Sequence, residues 1–264
     1  EFDKAIEQYT QAKAKSSPGE VNERATHKLG WSYFRLGKFD SALEAFRSHV
    51  QAYPEGAVHA DGLFMQAECL YQLKSYEEAL PLFSAASQTT PSKPQMQVLT
   101  LLHGGQCAAE LQQWEESLRY FDQIPDKFPK TPYLADALGK RGWAKQKMNR
   151  LDEAIQDYEQ AVTSSRGEAG AYAQYMIGEI QFERKQHKEA IRSFLRVMYG
   201  YGGENAVKEV KHWQAMAGYE AGRCAEVQKQ LANAKKYYAF VVGRFGEHEL
   251  APKAKGRLDA LDKL

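Results

Sequence analysis

Residues 39–46 read Phe-Asp-Ser-Ala-Leu-Glu-Ala-Phe, and residues 76–83 read Tyr-Glu-Glu-Ala-Leu-Pro-Leu-Phe. Both segments begin with an aromatic residue, carry a small residue three positions later, and end with a second aromatic residue four positions after that. The small position returns along the whole chain at intervals of 36 to 44 residues. Its members are Ala5, Ala42, Ala79, Ser117, Ala154, Ala190 and Ala234. A period of this length is typical of proteins that stack repeated supersecondary units.

Two further positions keep the same register. The aromatic position four residues on is filled in every repeat, although aromatic residues make up only 12% of the chain. Its members are Tyr9, Phe46, Phe83, Phe121, Tyr158, Phe194 and Tyr238. A second small position lies twelve residues before the first, at Gly30, Ala67, Gly105, Gly142, Gly178 and Gly222. Because residues four apart share a helix face and small residues let backbones approach, each repeat is predicted to be two antiparallel helices that stack on the next pair.

The run Leu29-Gly30-Trp31-Ser32-Tyr33, followed by Ala42, Phe46 and Pro54, resembles the tetratricopeptide repeat (TPR). The resemblance covers nearly the whole chain. It implies an all-α fold, a right-handed superhelical solenoid of antiparallel helix pairs with about 14 helices. The chain departs from the family pattern just before the second small position, where leucine is replaced by Gln66, Gly104, Arg141 and Ala221. We expect less regular packing of those first helices.

The linkers between pairs are longer than the family norm. Residues 53–60 and 127–137 are similar to linkers of bacterial cell-envelope TPR proteins, of the Tol-Pal-associated and outer-membrane-assembly lipoprotein types. This narrower resemblance favours the bacterial periplasm or cell envelope as the location, with the cytoplasm as the alternative.

The repeat register predicts a single solenoid over residues 1–264. Residues 1–16 are interpreted as the second helix of a truncated repeat, and residues 249–263 as a capping helix. The helix pairs between them are predicted at residues 20–54, 57–91, 93–129, 132–166, 168–200 and 204–246. The Gly-rich stretch 199–205 is interpreted as a linker, or alternatively as a hinge or a loop that contacts a partner.

The charge balance excludes several classes of ligand. The chain has 35 Lys and Arg residues against 34 Asp and Glu residues, so its net charge is +1. A general nucleic-acid binder or a polybasic membrane patch needs an excess of cations. A membrane-spanning helix needs a run of about 18 apolar residues, and the sequence contains no such run. We therefore expect neither nucleic-acid binding nor direct membrane insertion.

The sequence contains no catalytic or metal-binding motif. The seven histidines lack metal-ligand spacing, and Cys69, Cys107 and Cys224 recur at a helix-packing position without a CxxC pair. Acidic pairs such as Glu77-Glu78 precede the small position, where they offset the dipole of the second helix. We predict a protein that is not an enzyme and uses no cofactor and no metal.

The resemblance implies that a partner binds along the concave surface lined by the first helices. In the family, the inward-facing residues lie six and three positions before the second small position, and one and four positions after it. Nine of the 24 residues at these positions are aromatic, well above the 12% of the whole chain. The candidate peptide- or partner-binding residues are Arg24, His27, Trp31, Phe34, Phe64, Glu68, Tyr71, Gln106, Trp143, Tyr172, Tyr175, Glu179, Phe182, Tyr219 and Arg223.

Aromatic side chains in a concave surface are typical binding hot spots, and an apolar groove suits an amphipathic helix or an extended peptide. The sequence therefore predicts a protein–protein interaction scaffold. The alternative is a structural element that stacks end to end with itself or with other TPR subunits.

Overall fold

A computed structural model describes residues 2–91 and 93–263, with every side chain among them except that of Glu204. Glu1, Ser92 and Leu264, which the predicted solenoid includes, lie outside the described residues. The described chain forms two compact units, Glu1–Thr131 and Pro132–Leu264. Both consist of antiparallel α-helix pairs, so the all-α repeat fold is confirmed.

Unit 1 carries helices α1 to α8. They are α1 (Phe2–Lys15), α2 (Glu20–Arg35), α3 (Phe39–Ala52), α4 (His59–Gln72), α5 (Tyr76–Ser87), α6 (Pro94–Glu110), α7 (Trp114–Phe121) and α8 (Gln123–Lys127). Only Asp122 separates α7 from α8, and Pro125 lacks the N–H that would continue the hydrogen-bond ladder. The two together occupy the place of one second helix.

Unit 2 carries α9 to α15. They are α9 (Leu134–Lys147), α10 (Leu151–Ser164), α11 (Glu168–Glu183), α12 (His187–Gly200), α13 (Lys208–Val227), α14 (Leu231–Arg244) and α15 (Ala251–Leu261). A 3-10 turn, Gly203–Asn205, precedes α13. Helix α15 packs on α14 and buries Ala254 and Leu261.

The second small position receives the aromatic ring of the same repeat. A Cβ atom added to Gly142 would lie 2.9 Å from the ring of Tyr158, and one added to Gly222 would lie 2.5 Å from the ring of Tyr238. The same contact joins Gly30 to Phe46, Gly105 to Phe121 and Gly178 to Phe194. The recurring pair of small and aromatic residues is therefore the contact that closes each helix pair.

Each turn between the two helices of a pair contains one residue with positive φ, at the same place in all six pairs. These residues are Gly37, Lys74, Gln112, Asn149, Lys185 and Lys229, with φ between 57° and 70°. The N–H of the following residue donates to the carbonyl five positions earlier, as from Gln186 to Gln181. This Schellman geometry ends every first helix, but only one of the six residues is the glycine that it favours.

Replacing Lys185 by glycine is expected to raise the free energy of unfolding by about 1 kcal/mol, because the left-handed conformation disfavours residues with a Cβ atom. Urea denaturation followed by circular dichroism measures the change. Arg192→Gly, in the middle of α12, is the matched control and is expected to lower the free energy of unfolding by about 1 kcal/mol. A loss of stability in both variants would contradict the role of the turn.

Two of the residues that depart from the family pattern, Arg141 and Gly104, have compensating contacts. The guanidinium of Arg141 forms an ion pair with the Oδ1 atom of Asp157. The Oδ2 atom of Asp157 lies 2.7 Å from the ammonium of Lys145. Gly104 leaves room for the ring of Tyr120, and Ala221 is fully buried. A buried charge pair and an extra aromatic ring thus take the place of leucine in two of the first helices.

The Gly-rich stretch 199–205 is held by hydrogen bonds. The buried amide of Gln214 donates to the carbonyl of Tyr201 at 2.8 Å, and Arg244 donates to the carbonyl of Gly203. A Cβ atom on Gly202 would lie 2.9 Å from the backbone of Ala206, and its φ is +65°. These contacts favour the linker interpretation over the hinge.

Candidate functional site

The first helices line the inner face of each unit. Helix α4 contacts α6 in unit 1, and α11 contacts both α9 and α13 in unit 2. Second helices of neighbouring pairs make no comparable contact within the described residues. Because the first helices approach one another more closely, each unit curves with these helices inside.

Three aromatic rings meet on the inner face of unit 2. The ring of Trp213 on α13 lies 5.0 Å from that of Tyr172 and 5.4 Å from that of Tyr175, both on α11. Gly139 on α9 faces Tyr172 and leaves space for its ring. The sequence-based set contains Tyr172 and Tyr175 but misses Trp213. The signal was helical spacing, because Trp213 lies three residues before Met216, which holds the first of the positions that the rule samples.

Charged side chains lie beside these rings. The carboxylate of Glu220 accepts a hydrogen bond from Arg223 at 2.7 Å, and the guanidinium of Arg223 lies over the ring of Phe182. Burial and the carboxylate of Glu220 raise the pKa of Glu179 to about 7, whereas its hydrogen bond to Tyr175 and the charge of Arg223 lower it. Burial also raises the pKa of Glu220, although the charge of Arg223 and its hydrogen bond lower it. The buried carboxylate of Glu220 and the partly exposed carboxylate of Glu179 thus lie near one arginine.

We call the unit 2 groove the inner-face side chains of Trp143, Tyr172, Glu179, Phe182, Trp213, Tyr219 and Arg223. All of these side chains except that of Arg223, which is exposed, are partly exposed. Trp143 projects from α9 with the ammonium of Lys147 5.5 Å from its ring centre, and Tyr219 packs on Tyr238. The groove therefore presents aromatic faces, one arginine and a carboxylate that is half protonated near neutral pH.

The inner face of unit 1 carries a hydrogen-bonded network. Glu68 on α4 lies 2.6 Å from the Nδ1 atom of His103 on α6, and the ring of Tyr71 stacks on that imidazole. The hydroxyl of Tyr71 donates to the amide oxygen of Gln106 at 3.0 Å, and Gln72 donates to Glu68. The structure thus brings the predicted Glu68, Tyr71 and Gln106 together. It adds His103, which shares a helix face with Gln106.

Trp31 and Phe34 lie farther along unit 1. Their rings are 6.0 Å apart and edge to face, and the ammonium of Lys93 lies 5.9 Å from the centre of the Trp31 ring. Arg24 is exposed and forms an ion pair with Glu20. Both aromatic side chains are partly exposed and belong to the inner surface.

Burial removes four predicted residues from the accessible surface. His27 packs against Phe46 and His49, and Phe64 packs against Phe83 in the core of unit 1. Tyr175 is only 5% exposed and packs against Phe194. Glu68 is buried as well, through its hydrogen bonds to His103 and Gln72. The positional rule predicts these side chains on the inner face, but His27, Phe64 and Tyr175 pack against rings of the second helices.

The described residues offer little for catalysis or metal binding. No group of three or more metal-ligating side chains lies together among them. All three cysteines are fully buried and unbridged, and burial raises the pKa of each thiol to about 12. None of the helices, as far as the structure describes them, has the length and hydropathy to cross a membrane.

The fold is shared with several solved structures. The C-terminal part of a TPR repeat-containing protein from Cytophaga hutchinsonii matches with a TM-score of 0.70 at 11% identity, over 96% of this chain and 94% of that one. PilF from Pseudomonas aeruginosa matches with a TM-score of 0.61 at 13% identity, over 97% and 99%. YrrB, described as a TPR protein with an unusual peptide-binding site, matches with a TM-score of 0.52 at 19% identity, over 62% and 78%. At these identities the likeness concerns the fold alone.

Family models give the same result from the sequence. No curated protein matches the chain. One tetratricopeptide repeat model matches residues 1–57, 27–94 and 140–206, which together exceed half of the chain, and a second matches residues 100–131. The repeat matches, the closing contact of each helix pair and the shared fold show that this chain belongs to the tetratricopeptide repeat family.

Proposed function

We propose that the chain is a non-catalytic interaction scaffold whose unit 2 groove holds a peptide or helical segment of a partner protein. The observation that carries the proposal is the meeting of Trp213 with the rings of α11 beside the carboxylates of Glu179 and Glu220. Aromatic side chains that are partly exposed in a concave surface supply large contact area at a low entropic cost. The peptide-binding site named for YrrB, which has the same fold, supports the same use of the fold here.

The charges of the groove favour one kind of segment. Glu179 and Glu220 lie near each other with Arg223 as their shared cation, so a basic side chain of the partner would complete the pairing. The aromatic surface favours apolar side chains at the neighbouring positions. We therefore propose an amphipathic segment with apolar residues and at least one Lys or Arg.

Panning a random peptide library against the whole chain tests this proposal. Peptides that bind the wild type are expected to lose at least about tenfold in affinity for the double variant Trp213→Ala, Glu179→Gln, which removes an aromatic contact and one of the two carboxylates. Isothermal titration calorimetry measures the loss, and thermal melting checks that the variant is folded.

The matched control changes two exposed arginines on the second helix α12, Arg192→Ala and Arg196→Ala. Its peptide affinity is expected to equal that of the wild type. Selected peptides that bind the groove variant and the wild type equally well would refute the groove as the binding site. A loss confined to the α12 variant would move the site to the outer face.

We further propose that the partner belongs to a bacterial cell-envelope assembly. The long linkers at residues 53–60 and 127–137 support this placement through their resemblance to envelope TPR proteins. Fractionation of the source cells with an antibody to the chain tests it. Recovery of the protein in the cytoplasmic fraction alone would contradict it.

A further inference from the structure

A second concave feature of unit 2 adjoins the groove, because the ring of His212 on its wall lies 5.0 Å from that of Trp213. A cavity of about 530 Å³ opens between the start of α13, the end of α14 and the loop that leads to α15. Its volume is in the range of small-molecule sites. The charged and titratable side chains on its wall are Lys208, Lys211, His212, Arg244, Glu247 and His248. We call this feature the cationic cavity.

The wall of the cationic cavity carries an excess of positive charge. Lys208, Lys211 and Arg244 bring three cations, and Glu247 is the one acidic side chain on the described part of the wall. With both histidines neutral, the lining therefore has a net charge of +2. The amino end of the 20-residue helix α13 adds the positive end of its dipole. The lining is thus more positive than the chain as a whole, whose net charge is +1.

Two imidazoles on the wall form a directed hydrogen bond. The Nδ1 atom of His212 lies 3.0 Å from the Nε2 atom of His248. Because the Nδ1 atom of His248 accepts a hydrogen bond from the backbone N–H of Leu250, its Nε2 atom carries the proton and donates to His212. His212 then carries its own proton on Nε2 and has that N–H available as a donor. The pair thus adds a hydrogen-bond donor to the lysines and the arginine.

Contacts on two sides hold the side chain of Arg244 at the edge of the cationic cavity. Its guanidinium donates to the carbonyl of Gly203 and lies over the rings of Phe240 and Phe245, at 5.7 and 5.8 Å. A guanidinium that is already positioned loses little conformational entropy when it binds an anion. Lys208 and Lys211 are exposed one turn apart on α13, so both ammonium groups can reach the same ligand.

From this arrangement we infer that the cationic cavity binds a phosphate monoester. A phosphate monoester carries between about 1.5 and 2 negative charges at neutral pH and presents three acceptor oxygens. These properties match the net charge of +2 and the several donors of the wall. A carboxylate, with a single charge, would leave the lysines and the arginine partly uncompensated. The cavity is also larger than one phosphate group, which leaves room for the small molecule or the side chain that carries it.

Titration calorimetry of the whole chain at low ionic strength tests the inference. The probes are inorganic phosphate, O-phosphoserine, and a phosphoserine peptide with its unphosphorylated form, and acetate serves as the monovalent control. Saturable binding with one site is expected for phosphate and O-phosphoserine, at least about tenfold tighter than for acetate, and weaker at high salt because the charges are exposed. A phosphopeptide that binds more tightly than O-phosphoserine would identify a phosphorylated protein as the source. Equal binding would identify a small organic phosphate.

The variant Lys208→Gln, Lys211→Gln removes two cations whose side chains are exposed, so the fold is expected to remain intact. Its affinity for phosphate is expected to fall at least tenfold. Lys188→Gln, an exposed lysine on α12 that does not line the cavity, is the control and is expected to bind like the wild type. Absence of saturable phosphate binding, equal binding of acetate, or an equal loss in both variants would overturn the inference. None of these results depends on whether the groove binds a peptide.

Discussion

Replacing Gly142 by leucine is expected to lower the free energy of unfolding by about 3 kcal/mol, the upper end of the range for overpacked cores. The ring of Tyr158 lies where the new side chain would begin, since even a Cβ atom would come within 2.9 Å of it. Tyr158 is fully buried, and its hydroxyl donates to Gln146 at 3.0 Å, so the ring has little freedom to move aside. The helices α9 and α10 would have to separate.

Urea denaturation followed by circular dichroism measures the effect. Gly256→Ala is the matched control in the same unit, because Gly256 lies inside α15 with no neighbouring atom within 4 Å of the added Cβ. This control is expected to raise the free energy of unfolding by about 0.5 to 1 kcal/mol, the usual preference for alanine over glycine in a helix. Equal stability of Gly142→Leu and the wild type would show that the small position does not close the helix pair.

The same contact explains why the fold could be predicted from the sequence. The pairing of Gly142 with Tyr158 is local, since the two residues lie in consecutive helices of one repeat. Every repeat packs its two helices through the same contact, so the small and aromatic residues recur at a regular interval. This period can be read from the sequence. In one repeat Ala67 takes the place that Gly142 has here, and it is fully buried. The second small position therefore accepts only a small side chain.

The inner surface was less predictable, because it depends on contacts between repeats. A positional rule places His27 and Phe64 toward the inner face, but it cannot tell that neighbouring rings bury them. The partner of Glu68 is His103, 35 residues away on the next first helix, and no local pattern announces this pair. Trp213 escapes the rule because it lies nine positions before Gly222, one helical step beyond the positions that the rule samples.

The ion pair between Arg141 and Asp157 could not be predicted from the sequence either. Arg141 looks like a defect in the repeat when only its own position is considered. Asp157, which accepts from it, lies on the second helix and is almost fully buried. A buried arginine and aspartate are acceptable only as a pair, so the two departures explain each other once the helices are in contact.

Two buried histidines in unit 1 predict a second large effect, a loss of stability in acid. The rings of His27 on α2 and His49 on α3 lie 5.3 Å apart, and the Nε2 atom of His27 and both ring nitrogens of His49 have no hydrogen-bond partner within the described residues. Glu23 lies 3.5 Å from the Nε2 atom of His49, and Asp61 on α4 faces the same cluster. His59 and Lys28 are the other titratable groups nearby.

Protonation of this pair is disfavoured in the folded state. Burial, reinforced by His49, lowers the pKa of His27 to about 4, although Asp61 and Glu23 oppose the shift. Burial also lowers the pKa of His49, against the attraction of Glu23. In the unfolded chain a histidine has a pKa near 6.5. Between these values the unfolded state binds more protons, so the folded state loses stability as the pH falls from about 6.5 toward 4.

The shift of His27 alone is expected to remove about 3 kcal/mol of stability between pH 7.5 and pH 4, at about 1.4 kcal/mol for each pKa unit. His27→Gln cannot take up the proton, so its free energy of unfolding is expected to fall by about 3 kcal/mol less than that of the wild type over the same range.

Urea denaturation at several pH values measures how the stability of both proteins changes with pH. Amide hydrogen exchange in α2 to α4 then locates the loss in unit 1. Thr163→Gln, at an exposed position of unit 2 without a titratable side chain, is the control and is expected to follow the wild type. If His27→Gln also followed the wild type at every pH, the buried imidazole would not be the group that acid titrates.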